Sequence, residues 1–259
     1  MIKKYLIFLI VVMSFFSFAM RKIENPALND ENFNSFGFSY STYFSSNWIT
    51  KFGLFYGEQE QDLFGKIYLF TEDASTESMN KIGYLLNAKS SKFQWGIDFE
   101  VGRFKNSTSE GYSFNMGVGF LSEVVNYVKI GAFVKELTLF AQSPFEFFKP
   151  DVGINLIVGN EMYRFLTDFV FVKQEYFQFS VGPELNFDLL GFGLFWSPEY
   201  IISSDSFFNK LNGYIVVNVE KIRILLDFFY SVDRNTITNL PMHYENALYG
   251  YSLAFWVGF

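Results

Sequence analysis

Hydrophobic and polar positions alternate along most of this chain with a period of two. Phe93, Trp95, Ile97, Phe99 and Val101 fall on one side, and Gln94, Gly96, Asp98, Glu100 and Gly102 on the other. An extended backbone sends successive side chains to opposite faces, so such a run is a strand whose two faces differ. Tyr112, Phe114, Met116, Val118 and Phe120 repeat the pattern against Ser113, Asn115, Gly117 and Gly119. Phe177 to Phe187 repeats it against Gln178 to Asp188, and Ile222 to Val232 carries Arg223, Asp227 and Ser231 on its polar side. Weaker versions occupy 35–44, 47–56, 61–70, 79–89, 125–135, 151–158, 162–172, 191–202, 209–219 and 246–259.

These runs make about fourteen strands, with bounds of about twelve and sixteen, each roughly the length that crosses a bilayer when tilted. The connections between them fall into two classes. Ser90-Ser91, Glu123-Val124, Gly159-Asn160, Leu189-Leu190 and Glu220-Lys221 are short, whereas 71–78, 105–110, 136–150, 203–208 and 233–244 are long. Short turns at one end and long loops at the other are the asymmetry of membrane barrels. The pattern predicts an all-β fold, a closed antiparallel transmembrane β-barrel over 35–259, with its short turns and both chain ends on the periplasmic side.

Alternation alone does not say whether the apolar face meets a soluble core or lipid, because a β-sandwich alternates in the same way. Composition decides. The chain holds 36 Phe and 16 Tyr, and 22% of its residues are aromatic while 18% are charged, below the roughly 25% charged fraction of soluble domains. So many rings exceed what one barrel interior is expected to enclose, whereas acyl chains can solvate them. The inner face is expected to be small and wet. A soluble sandwich would instead come off membranes in a carbonate wash.

The first residues add an export address. Lys3 and Lys4 precede an apolar run from Tyr5 to Phe16, and Ser17-Phe18-Ala19 supplies small residues for cleavage. Residues 1–19 are read as a cleavable signal peptide, the apolar run being shorter than the roughly 20 residues of an anchor helix. Residues 20–34 form a periplasmic or lumenal lead. The chain has no Cys, which leaves no disulfide frame, thiolate metal site or lipoprotein anchor.

Its net charge of −7, more negative still without Lys3 and Lys4, argues against nucleic acid as a partner. An enzymatic reading finds little support. His243, the sole histidine, lies in an expected outer loop, and no sequence pattern calls for a cofactor. Glu58, Glu60 and Asp62 are oxygen-rich but lack the spacing of a calcium loop, so they are read as a solvated turn and no metal site is assigned.

Charges on the polar side are the candidate functional residues. Lys51, Lys66, Lys81 and Lys129 come from early strands, with Asp98 and Glu100 among them. Asp168, Glu184, Asp188 and Asp227 come from later strands, interspersed with Arg164 and Arg223. Opposed across a pore they would create a transverse field that orients polar solutes. Alternatively they pair with neighbours or simply solvate the interior.

The chain ends on Phe259, with Val257, Phe255, Leu253 and Tyr251 on the same face behind it. This resembles the C-terminal strand signal of the bacterial outer-membrane β-barrel superfamily, and the resemblance implies the barrel-assembly machinery and outer-membrane lipid as partners. Near the start, Asn25-Pro26-Ala27 resembles the short N-terminal motif of the FadL-type family, whose fourteen-stranded barrels carry an N-terminal hatch and move hydrophobic compounds. The stretch from Met20 to Asn32 is shorter than that hatch, which argues against gating by a plug. The leading expectation is an outer-membrane channel for passive diffusion of small solutes, as a monomer or a homo-oligomer. Its alternatives are a plugged structural or surface-interaction barrel and a FadL-like transporter.

Overall fold

The computed structural model describes residues 27, 34–44, 48–74, 77–90, 92–142, 150–172, 175–202, 205–232 and 248–259. The expected signal segment, most of the lead, His243 and the centres of the longest loops lie outside the described residues. Strands β1 (Ser35–Phe44), β2 (Trp48–Glu60), β3 (Leu63–Asp73), β4 (Glu77–Lys89), β5 (Phe93–Asn106) and β6 (Glu110–Val125) form the first part of the chain. They are followed by β7 (Val128–Ala141), β8 (Asp151–Gly159), β9 (Tyr163–Val172) and β10 (Tyr176–Asn186). The remainder comprises β11 (Leu190–Trp196), β12 (Glu199–Ile201), β13 (Ser206–Phe208), β14 (Lys210–Val219), β15 (Ile222–Ser231) and β16 (Tyr249–Gly258).

All belong to one antiparallel sheet of 16 segments, in which β11 pairs with β10 and β14 while β12 pairs with β10 and β13. β11 and β12 are one stave interrupted at Ser197-Pro198, and β13 and β14 are one stave interrupted at Asn209. The barrel therefore has 14 staves. Proline has no N–H to give a ladder, yet the register runs through the gap, with Gln178 opposite Glu199 on one side and Val181 opposite Trp196 on the other. Closure is made by β1 and β16, which pair from Ser35 opposite Gly258 to Phe44 opposite Tyr249. Closing the sheet pairs every edge, a requirement in hydrocarbon, where a backbone group without a partner costs several kcal/mol, roughly.

The tight turns share one end of the barrel with Asn34 and Phe259, whose backbone N–H donates to the Asn34 carbonyl. Gln61, Tyr127 and Glu220 adopt positive φ there (54°, 67° and 52°), the geometry that matches a tight hairpin to the twist of its strands. The expected turn at Glu123-Val124 lies slightly further on, because β6 continues to Val125. The expected long loop from Glu136 is also shorter, since β7 continues to Ala141.

The outer face is apolar around the circumference. Phe36, Ile67, Ile82, Val101, Val118, Ile154, Phe165, Leu194, Phe228 and Val257 are all exposed. Such a continuous apolar belt has no counterpart on monomers that face water and fits acyl chains.

Candidate functional site

The barrel interior is the candidate site, and it differs from the wet surface expected above. Phe55, Phe64, Phe104, Phe133, Phe195, Tyr214, Phe229 and Trp256 are buried on the inner face. They fit because many lie across a glycine of the adjacent strand. Phe55 is opposite Gly37, Phe70 opposite Gly53 and Tyr68 opposite Gly83. Phe133 is opposite Gly153, Tyr214 opposite Gly193 and Phe229 opposite Gly250. At Gly83 a Cβ would stand 2.1 Å from Tyr68 Cζ, so the bare backbone is what lets the ring lie flat on the wall. The error in the expectation was steric: a ring folded onto a cross-strand glycine occupies the wall rather than the axis.

In the half near the short turns, the inner apolar residues form one cluster. Phe55, Leu121, Ile157, Leu166, Phe195, Tyr214, Val216, Leu225, Ala254 and Trp256 come from β2, β6, β8, β9, β11, β14, β15 and β16, and Ala27 joins them. Ala27 belongs to the lead rather than to a stave, yet its exposure is 0%. Ala27 thus lies buried in the inner apolar cluster. Towards the loop end, Phe133, Val170, Val172, Tyr176, Ile201 and Phe208 make a second apolar cluster on one side.

The charges sit between and beside these clusters, and neighbours compensate them. Lys81 Nζ lies 2.9 Å from Glu100 and 3.3 Å from Glu136. Glu100 also accepts from Asn115 at 3.3 Å, and Asp98 accepts from the Tyr68 hydroxyl at 2.7 Å. Lys51 is 4.0 Å from Glu72 and places its Nζ 4.8 Å from the Phe70 ring centre. Lys66 lies over Phe55 at 4.6 Å, and Arg223 over Trp256 at 5.7 Å. Arg164 pairs with Glu184, which is almost fully buried, and Asp168 accepts from Asn155 at 2.7 Å. Asp227 is buried opposite Tyr214 and Ser252. Lys129 is half-buried near the short turns, opposite Glu123.

Asp188 is a correction. β10 ends at Asn186, and Asp188 lies exposed in the turn closed by Phe187 N–H on the Leu190 carbonyl, so it does not line the interior. Glu220 occupies a turn, as the short Glu220-Lys221 connection predicts. The segregation of lysines from acids seen along the chain does not carry into space as opposed walls. Lys51, Lys81 and Arg164 each pair with an acid on the adjacent strand, which weakens any transverse field from these groups at short range.

Sequence reasoning missed Glu72 and Lys210, both buried, and placed Glu136 in a loop. Lys210 pairs with Glu199 at 2.8 Å, beside the Ser197-Pro198 interruption. Alternation could have placed Glu72 inside, two residues beyond Phe70. The predicted terminal signal is assembled as one outer row: Tyr251, Leu253, Phe255 and Val257 alternate with the inner Ser252, Ala254 and Trp256. The Phe259 ring stacks 6.0 Å from Tyr56.

A closed barrel of 14 staves with an outer apolar belt has the fold of bacterial outer-membrane β-barrels. Comparison with solved structures agrees. The chain is similar to the CymD monoaromatic hydrocarbon channel with a TM-score of 0.66 and 9% identity, covering 92% of this chain and 92% of that one. It is similar to the toluene transporter TodX of Pseudomonas putida (TM-score 0.60, 10% identity, 92% and 93% covered). The toluene transporter TbuX of Ralstonia pickettii gives a TM-score of 0.61 at 8% identity, with 92% of each chain covered. At such identities the likeness is one of fold. No protein-family model and no curated protein sequence matches the chain.

Proposed function

We propose that the chain is an outer-membrane channel whose lumen passes small, largely apolar, uncharged solutes, after removal of residues 1–19 and insertion by the barrel-assembly machinery. The observation that carries this reading is the apolar inner cluster, of which Ala27 is a buried member. An aqueous pore presents hydrated groups along its path, whereas a continuous apolar surface strips water from a solute and favours molecules that lose little by it. Local compensation of Lys81, Arg164 and Lys210 supports the same reading, because paired charges offer a passing ion no net partner. The hydrocarbon-channel neighbours make monoaromatic molecules the first solutes to try.

Purified barrel in proteoliposomes tests this. Uptake of a neutral monoaromatic compound should exceed that of a sugar of similar size, with small ionic conductance in planar bilayers. Large ohmic steps and indifference to solute polarity would favour an ordinary aqueous pore instead. The burial of Ala27 also suits a second reading, a plugged structural barrel, which predicts no solute flux at all.

A further inference from the structure

β7 is irregular in a way that serves one side chain. Against β6 it slips register between Phe114/Asn115 and again between Met116/Val118, so it carries extra residues relative to its partner. Glu136 lies within the second slip and has a φ of 49°, a left-handed conformation that strains any residue with a Cβ and persists only where surroundings fix it. Bulges re-aim side chains. Here the result is that the Glu136 carboxylate reaches Lys81 on β4 at 3.3 Å, with β5 and β6 lying between the two strands.

Lys81 does not need this contact for neutrality. Glu100, on the adjacent strand, already holds it at 2.9 Å. The wall spanned by the pair includes the small or short residues Gly102, Ser113, Asn115 and Gly117, and Phe133 of the second apolar cluster lies further along β7 itself. Swinging Glu136 away would leave Lys81 its wall partner. The two side chains are also accessible enough, at 20% and 30%, for water to replace the lost contact. A strained backbone and a spare partner together describe a movable element.

We propose that Lys81 and Glu136 form a polar bar across this sector of the lumen, and that the bar sets the size of solute admitted from the loop end. The size limit rests on the channel reading above; the bar itself does not. The absence of Cys permits a clean probe. Leu85→Cys places a thiol on the inner face of β4, opposite Asp98 and below Lys81. Its modification by a membrane-impermeant thiol reagent is followed on intact cells, with Glu136 present and in Glu136→Gly. Glycine suits the positive φ, so this variant keeps the backbone while removing the carboxylate; Glu136→Asn, also tolerant of that conformation, is the second variant.

Labelling is expected to accelerate by about fivefold, the change in open population that loss of one partly exposed ion pair allows. In proteoliposomes, flux of larger neutral solutes should rise more than flux of small ones. An unchanged labelling rate in both folded variants overturns the proposal. Faster labelling with no flux from any form, wild type included, supports the bar and removes the channel reading.

Discussion

Replacement of Lys210 by Met should destabilise the barrel strongly. Lys210 Nζ lies 2.8 Å from Glu199, and the two side chains are only 8% and 4% exposed. At that separation and an effective dielectric of 20, their attraction is about 6 kcal/mol. Desolvation of each ion costs several kcal/mol in return. The net worth of the pair is thus small, but the cost of deleting one member is not, because the survivor stays buried alone. A loss of about 3 to 5 kcal/mol is expected for Lys210→Met. The double variant Lys210→Met/Glu199→Gln should recover most of it, since neither charge remains.

Position sharpens this expectation. Ser197 N–H donates to the Lys210 carbonyl, and Ser180, Ser197 and Asn212 continue a polar chain along the same gap. The ion pair therefore sits where Pro198 interrupts the ladder. Urea unfolding of the barrel in lipid vesicles, followed by tryptophan emission, supplies the free energies, and a double-mutant cycle isolates the coupling. If both single variants and the double variant unfold at the wild-type midpoint, the pair is neither buried nor structural, and the reasoning fails.

Other expectations follow from the two faces. The chain has 4 tryptophans; Trp48 and Trp196 are exposed and Trp95 shares their outer face, while Trp256 is buried inside. In single-tryptophan variants, brominated lipid should quench the first three strongly and Trp256 weakly, and equal quenching would contradict the assigned orientation. Gly83→Val should cost about 2 kcal/mol by displacing the Tyr68 ring, and restoring stability by adding Tyr68→Ala would locate the strain; a variant as stable as wild type in urea would refute the ring-on-glycine account. Deleting Phe259, which is 60% exposed, should change stability by less than about 1 kcal/mol yet lower the yield of heat-modifiable, assembled barrel in cells. Normal assembly without it would leave the terminal signal no role.

The stave pattern was legible because it is local. β1 and the starts of β4, β5, β8 and β15 lie at or near the bounds that alternation assigns, since one residue in and one out is written within a single strand. β7 defeated the same method at its far end, where the bulges break the period and turn Glu136 inward instead of into a loop. Pro198 and Asn209 were invisible as interruptions because the register continues past them.

The character of the interior was not local, and that explains the main disagreement with sequence. Gly37, Gly53, Gly83 and Gly153 read along the chain as small gaps in a wet face. Only the cross-strand register shows that each receives a ring: Phe55, Phe70, Tyr68 and Phe133. The same holds for charge. Lys81 and Glu100 are 19 positions apart in sequence yet 2.9 Å apart in space, so a count of lysines early and acids late says nothing about the field. Register is the quantity that converts an alternating sequence into an interior: it sets rings opposite glycines and cations beside carboxylates, and so decides which apolar and polar groups meet on the lining. A slip of one residue would turn the same side chains outward, so the character of the lumen is inseparable from the pairing of the staves.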